Sequence, residues 1–221
     1  MKIYCTSPYA SPTDMGGNMA GNCIIDDNVC SDASRQEIIR RYYKALVGVA
    51  DGTRTEEELS KIELLMRQED LCVTDRPVVA PARIRAEATG AAVAAIELTD
   101  GRIITGKSGN LLGSSAAMLL NAIKELAGIP HDHMILSPES IAPIQLLKTQ
   151  YLGSKNPRLH TDEVLIALSA TAANNEEAAL GLQQLPKLQG CQVHSTVMLS
   201  DADLKTFKKL HCDVTCDAKT E

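Results

Sequence analysis

Residues 92–105 read AVAAIELTDGRIIT, and the predicted fold depends on the structure that this stretch adopts. Two runs suited to strands, 92–98 and 102–105, flank the dipeptide Asp100-Gly101. Asp-Gly tolerates the positive φ angles of a two-residue hairpin turn. The stretch therefore predicts an antiparallel β-hairpin.

A phosphate-binding loop is a second interpretation of the same region. Residues 101–108, GRIITGKS, satisfy the G-x-x-x-x-G-K-[ST] spacing in which backbone amides and the Lys side chain hold phosphate. Such a loop follows a strand and leads directly into a helix, whereas residues 103–105 are themselves β-branched strand formers. We therefore favour a strand that ends in Gly-Lys-Ser.

Helical patterns precede the hairpin. Ser34 and Thr55 begin the capping signatures S-x-x-E and T-x-x-E, and an apolar stripe at helical spacing follows each of them. These two helices are expected to form a helical hairpin. Pro81 in a first turn and Gly90 as a C-terminal stop then frame a shorter third helix.

Strands and helices alternate after the hairpin. Ser114 is a predicted N-cap and Gly128 a predicted stop for the helix that comes next. The later patterns predict a strand at 133–137, helices at 140–149, 162–173 and 176–185, a strand at 193–199, a helix at 201–210 and a strand at 213–216. This order predicts a three-layer α/β domain with a mixed, largely parallel sheet over residues 91–221. A Gly/Asn-rich strap and a helical subdomain over residues 1–90 would precede it.

Composition limits the class of protein. The chain has 221 residues, of which 44% are apolar, and a net charge of −6. That charge, without a long basic stripe, argues against a nucleic-acid partner, and the lack of an apolar run of about 18 residues argues against a membrane span. Seven cysteines, an odd number, fit free thiols in a reducing compartment. We therefore expect a cytoplasmic protein with neither nucleic-acid nor membrane partners.

Four motifs carry a resemblance to a known family. They are SPTDMGGNMAGNCIIDD at 11–27, SRQEIIRRYY at 34–43, DGRIITGKS at 100–108 and the segment 153–200, which begins GSKNPRLHTDEVLIAL. Together they resemble the C-terminal part of the bacterial family of uncharacterised proteins called domain of unknown function 1846. The resemblance implies no reaction. It places a longer N-terminal portion with a phosphate-loop-like motif before this segment, and so it implies a shortened form of the family protein.

The predicted order of elements also resembles the cytidine-deaminase architecture. In that family the helix after the hairpin begins with a zinc ligand and a catalytic Glu, and Pro-Cys-x-x-Cys opens the following helix. The corresponding residues here are LGSSA at 112–116 and SPESI at 137–141. The resemblance therefore implies that fold without zinc-dependent deamination.

The Gly/Asn-rich strap at 11–22 is one candidate for a ligand site. Its glycines allow successive backbone amides to turn inward and hold an anion. The polar side chains predicted to contact a ligand are those of Asp14, Asn18 and Asn22. A surface strap without ligand contacts fits the same composition.

His160 is the first candidate catalytic residue. It precedes a predicted helix start, where free amides and the positive end of the helix dipole favour an anion. The substrate-binding candidates just before it are Lys155, Asn156 and Arg158. Ordinary capping by Thr161, with solvated basic neighbours, is the alternative.

His194 is the second candidate catalytic residue. It lies on the predicted strand at 193–199, beside Ser195 and Thr196, which are further substrate-binding candidates. Side chains near the strands of an α/β sheet often line its ligand crevice. A core histidine with one hydrogen-bonded ring nitrogen is the alternative.

No cofactor and no metal site is predicted. His131 and His133 flank one carboxylate, and Cys212 and Cys216 lie near one histidine. Neither pair is accompanied by a second pair at a standard zinc spacing.

These patterns predict a protein that binds a small anionic metabolite, phosphorylated or nucleotide-like. His160 or His194 would be the general acid or base, and Lys155 and Arg158 would neutralise the charge of the substrate.

The alternative function is a non-catalytic scaffold or an inactive remnant of the larger protein. Such a module would dock to another copy of the chain, or to the missing N-terminal half, through the surfaces around Ile38, Tyr42 and Leu59.

Overall fold

Strands β1 (Val93–Glu97) and β2 (Ile103–Lys107) form the hairpin that the sequence predicts. The structure is a computed structural model, and it describes residues 26–220. The two strands are antiparallel, and the turn residue Gly101 has a φ of +82°. This is the left-handed conformation that glycine adopts without strain. Asp100 does not have a positive φ, and the Leu98 amide donates to the Arg102 carbonyl, so the hairpin is confirmed but its turn is longer than the predicted two-residue type.

Strands β3 (Gln192–Ser195) and β4 (Asp213–Cys216) complete a four-stranded sheet with the order β2-β1-β3-β4. Strand β1 is antiparallel to both of its neighbours, and only β3 and β4 are parallel among the described strands. The prediction of a mixed sheet is confirmed. The expected parallel majority is wrong.

The strand predicted at residues 133–137 does not form. Ile135 and Leu136 are buried in the main core, so the apolar run is used for packing. The carbonyl of His133 accepts a hydrogen bond of 2.5 Å from the ammonium of Lys124 rather than from a strand. A short buried run has the same pattern whether or not it has a ladder partner, and this ambiguity explains the error.

The described residues form eight α-helices around the sheet. They are α1 (Asp27–Ala50), α2 (Glu56–Gln68), α3 (Val79–Thr89), α4 (Ser114–Ala127), α5 (Pro138–Leu146), α6 (Thr161–Thr171), α7 (Glu176–Leu182) and α8 (Asp201–Lys209). Helix α5 continues into a π-helical turn over Leu147–Tyr151. None of the helices described over 26–220 is both long and apolar enough to cross a bilayer.

The starts of the first two helices test the predicted caps. Thr55 caps α2, and its hydroxyl accepts the Glu58 amide while the Glu58 carboxylate accepts the Thr55 amide, so the predicted capping box is confirmed. The start predicted for α1 is wrong. Asp26 caps that helix, and Ser34 lies inside it with its hydroxyl donating to the Cys30 carbonyl at 2.8 Å.

The sheet lies between two layers of helices. Side chains alternate along β1, so Ala94 and Ile96 enter the core that contains α4, whereas Val93 and Ala95 pack against α3. Helices α6 and α8 contribute to the first of these cores, and α1 lies beside β4 in the opposite layer. This arrangement agrees with the predicted three layers. The predicted domain boundary at residue 90 stays a prediction.

Apolar residues of the helical hairpin formed by α1 and α2 are packed within the chain. Ile39 and Tyr43 are buried in one cluster with Met66 of α2, and Ile38 and Tyr42 pack against this cluster. Leu59 is also buried. The surfaces that the sequence suggested for docking are therefore largely occupied within one chain.

Gly106 explains why the Gly-Lys-Ser stretch belongs to the packing of the sheet. A Cβ atom at this position would lie 2.0 Å from the backbone nitrogen of Met118 in α4. Lys107, at the end of β2, is exposed on an edge strand. The glycine thus lets α4 approach β2, and the strand interpretation of residues 101–108 is confirmed.

Replacing Gly106 by Ala is expected to lower the free energy of unfolding by about 1–3 kcal/mol, because the added methyl group meets the backbone of a helix. Urea denaturation measures the change. Gly109→Ala is the matched control, since a Cβ there meets no atom within 4 Å. Equal effects of the two substitutions would contradict the close packing of α4 on β2.

Candidate functional site

Three helices begin beside one pocket of about 270 Å³. The N-cap residues of α4, α6 and α8 are Gly113, His160 and Ser200, and all three line the pocket. Its other polar lining residues are Ser114, Ser115, Asn156, Arg158 and Asp203. Helix N-termini carry amides that have no acceptor inside the helix and the positive end of the helix dipole, and both favour a negative charge.

A short backbone pairing holds two of these helix starts together. Leu112 and Leu159 form an isolated parallel bridge. The Gly113 amide donates to the Leu159 carbonyl at 3.1 Å, and the Leu159 amide donates to the Leu111 carbonyl at 2.9 Å. Because Gly113 and His160 directly follow the paired residues, the N-caps of α4 and α6 lie side by side.

Asp203 joins the start of α6 to the start of α8. Its carboxylate accepts the Thr161 amide at 3.0 Å and the Ser200 hydroxyl at 2.7 Å, and it lies 3.1 Å from Nδ1 of His160. Burial by itself would raise the pKa of Asp203, but the hydrogen bonds from His160, Ser200 and Thr161 lower it to about 2. The carboxylate is therefore ionised at neutral pH.

His160 is held in one orientation at the pocket. Its Nδ1 faces Asp203 and Ser200, so Nε2 is the ring nitrogen available to a ligand. The hydrogen bond with Asp203 raises the pKa of His160, and it outweighs the opposing effect of burial. His160 itself is the N-cap of α6, so the alternative in which Thr161 caps the helix is wrong.

The loop before His160 is fixed by a buried lysine. The ammonium of Lys148 donates to the Arg158 carbonyl at 2.5 Å and to the Glu163 carboxylate at 2.6 Å. The Asn156 side chain accepts the Arg158 amide at 3.0 Å. These contacts place Asn156 and Arg158 at the pocket, whereas Lys155 is exposed and lines a neighbouring depression. The roles of all three residues in binding stay predictions.

His194 does not lie in this pocket. It is fully buried on β3, with Nδ1 3.0 Å from the Thr215 hydroxyl and its ring 4.9 Å from the ring of Tyr43 in α1. Its Nε2 is 3.6 Å from the Asp217 carboxylate. Burial lowers the pKa of His194, which favours the neutral ring. This is the environment of a core histidine, and the structure does not bring His194 together with His160.

The hydroxyls of Ser195 and Thr196 form hydrogen bonds that stabilise the end of β3. The Ser195 hydroxyl accepts the Val197 amide at 3.3 Å, and the Thr196 hydroxyl bonds both the amide and the carbonyl of Val93. Neither residue lines the pocket. The strap candidates Asp14, Asn18 and Asn22 lie outside the described residues. Their roles in binding stay predictions.

The sequence interpretation missed several residues of this site. Ser200 and Asp203 have the spacing of a cap and its N3 partner, so a local signal for the start of α8 was present. Ser114 was expected as the cap of α4, but Gly113 is the N-cap and Ser114 is the first helical residue. Nothing local indicates that α4 and α6 begin at the same place.

The part of the chain from 26 to 220 contains no group of three or more His, Cys, Asp or Glu side chains placed to hold a metal ion. His133 instead lies 2.7 Å from the Glu177 carboxylate, in an exposed pair.

Fold and pocket together define an α/β protein with a pocket at the meeting point of three helix starts. Two family models cover the sequence: the N-terminal part of the domain of unknown function DUF1846 matches residues 1–70, and the C-terminal part matches residues 74–221. The chain belongs to the DUF1846 family. The family predicted from the motifs is confirmed, but the expectation that only its C-terminal part is present is corrected by the match over residues 1–70.

Two curated proteins that are similar to this chain are considerably longer than it is. The chain is 55% identical over 214 residues to a UPF0371 protein of Corynebacterium glutamicum (strain R), and the match covers 97% of this chain and 43% of that protein. It is 49% identical over 216 residues to a UPF0371 protein of Streptococcus thermophilus (strain CNRZ 1066), with coverage of 98% and 44%. The chain thus spans less than half the length of these curated relatives.

Replacing Asp203 by Asn is expected to lower the pKa of His160, because burial then acts without the carboxylate that opposes it. NMR titration of the imidazole measures the change, and His160→Gln assigns the signal. Asp201→Asn, on the exposed side of the same helix turn, is the control and should leave the pKa unchanged. A pKa of His160 that is the same with and without the Asp203 carboxylate would contradict the pairing.

Proposed function

We propose that this chain binds a small anionic metabolite in the pocket at the starts of α4, α6 and α8. The observation that carries the proposal is the imidazole of His160, whose pKa is raised by Asp203 at the edge of a pocket bordered by helix N-termini. In its protonated form the ring adds a positive charge to those helix ends. The guanidinium-bearing residue Arg158 also lines the pocket.

The volume of the pocket supports a small ligand. Pockets for drug-sized molecules measure about 300–1,000 Å³. The pocket of about 270 Å³ lies just below that range. A compact metabolite, or the charged end of a larger one, suits this space.

His160 would also serve as a general acid or base. Asp203 and Ser200 hold Nδ1, so a proton would be given or taken at Nε2. A carboxylate that orients an imidazole is the arrangement used for proton transfer in many enzymes. We assign no step to His194, which is fully buried and faces α1.

The location of the pocket supports the likeness to cytidine deaminases. It lies at the start of the helix that follows the hairpin, where that family carries its metal ligands. Here that helix starts with Gly113, Ser114 and Ser115, which are hydroxyl or backbone donors rather than metal ligands. We infer a related architecture that has adapted this position to an anion.

The cysteines support a cytoplasmic location. The described thiols are free, namely those of Cys30, Cys72, Cys191, Cys212 and Cys216. Free thiols are usual in a reducing compartment.

Assembly of two copies of the chain is the second candidate function. Large apolar side chains are exposed at the end of the π-helical turn and on α6: Tyr151 is 74%, Leu152 73% and Ile166 69% exposed. Exposed apolar surface of this kind often marks an interface. Sedimentation over a range of concentrations tests it, and a monomer at every concentration would exclude this function.

The proposed function is tested by thermal melts with nucleotides, sugar phosphates and small carboxylic acids. A ligand at about 100 times its dissociation constant should stabilise the native chain by roughly 2.7 kcal/mol. His160→Gln should lose most of that shift. His131→Gln replaces an exposed histidine outside the pocket and should respond as the parent protein does.

Two outcomes would contradict the proposed function. In the first, no anion moves the melting temperature of a chain that melts cooperatively. In the second, His160→Gln and the parent protein show the same shift with every ligand that binds.

A further inference from the structure

Helix α4 begins without a side-chain cap. Its N-cap residue is Gly113, which has no side chain to accept a hydrogen bond. The geometry of an α-helix leaves the amides of Ser114, Ser115 and Ala116 without acceptors inside the helix. These three residues line the pocket. By contrast, Ser200 caps the start of α8 with its hydroxyl.

The side chains of Ser114 and Ser115 add two hydroxyl groups to the same wall of the pocket. The two residues are only 5% and 4% exposed. Within the part of the chain that the structure describes, neither hydroxyl forms a hydrogen bond with the protein, and neither oxygen is among the fully buried unpaired atoms, so both are accessible from the pocket. Polar groups of this kind are nearly always paired in native proteins, by protein, ligand or water, so two hydroxyls without a protein partner on a pocket wall are available to pair with a ligand.

The donors at this helix start favour a tetrahedral oxyanion. Three amides and two hydroxyls are grouped at residues 114–116. A carboxylate presents two oxygens in a plane, whereas the three terminal oxygens of a phosphoryl group accept bonds from several directions. Helix N-termini are frequent phosphate sites for the same reason.

The negative charge of Asp203 does not prevent an anion from binding here. Its two oxygens are engaged by the Thr161 amide, the Ser200 hydroxyl and the imidazole of His160. When the imidazole of His160 is protonated, its positive charge compensates that of the carboxylate. The amides of α4 face the same pocket from another element and have no such acceptor.

We propose that the N-terminus of α4 is a phosphoryl subsite, formed by the amides of residues 114–116 and the hydroxyls of Ser114 and Ser115. The inference rests on the proposed function, since it names the chemical class of the anionic ligand: a phosphomonoester. Its phosphoryl group lies on α4, and His160 contacts the group from the start of α6.

Gly113→Asp tests the subsite while preserving the fold. A Cβ at Gly113 would lie 3.7 Å from the Leu159 carbonyl, which is an ordinary contact, and the φ of −69° suits any residue. Asp is a preferred N-cap residue, so its carboxylate would accept the α4 amides and occupy the subsite. Gly109→Asp is the matched control, because it adds the same charge to the same loop at a position outside the pocket where a Cβ meets no atom within 4 Å.

Isothermal titration of the full chain with methyl phosphate, inorganic phosphate and acetate measures the selectivity. We expect both phosphates to bind about tenfold or more tightly than acetate, and methyl phosphate at least as tightly as inorganic phosphate. Gly113→Asp should weaken both by about tenfold or more without lowering the melting temperature, and Gly109→Asp should change neither. The double variant Ser114→Ala/Ser115→Ala should also weaken phosphate binding, by about tenfold.

The outcomes separate this inference from the proposed function. If acetate binds as tightly as the phosphates, or if neither Gly113→Asp nor the double serine variant weakens phosphate binding, the subsite is overturned. Anion binding that still depends on His160 would then leave the proposed function standing. Binding of inorganic phosphate alone would overturn the phosphomonoester. If no anion binds, both proposals fall.

Discussion

The buried carboxylate of Asp203 is the contact on which the site depends. It accepts the Thr161 amide and the Ser200 hydroxyl and engages Nδ1 of His160, so one ion links the starts of α6 and α8. A pKa of about 2 keeps it charged throughout the neutral range. An ionised carboxylate at this depth is tolerated only with such partners, and for this reason the two helices must begin together. The orientation of the imidazole follows from the same contacts.

The start of α4 has no side chain, in the described part of the chain, that accepts its first amides. The pairing of Leu112 with Leu159 nevertheless brings Gly113 beside His160. Asp203 accepts an amide at the start of α6, and Ser200 accepts one at the start of α8. The donors of α4 are left to a ligand or to water. This difference between neighbouring helix starts separates the groups that build the pocket from those that we assign to binding.

Local signals made part of this structure predictable. The Asp100-Gly101 turn, the capping box at Thr55 and the polar helix start at His160 each depend on a few neighbouring residues. The meeting of α4 with α6 depends on backbone atoms far apart in the sequence, and no pattern of side chains marks it. The environment of His194 was also not predictable from local sequence. Alternation along the strand defines two faces, but it does not show which face packs against Tyr43. The likeness to deaminases stays a prediction.

A titration of the isotope-labelled chain with inorganic phosphate, followed in amide and imidazole NMR spectra, shows directly whether the pocket binds an anion. If phosphate binds at the start of α4, the chemical shifts should change saturably, and most for the amides of residues 114–116 and for the ring of His160. Smaller changes should reach the amide of Thr161 through Asp203. Shifts confined to residues outside the pocket, or the absence of any saturable change at the start of α4, would contradict the binding of an anion in this pocket.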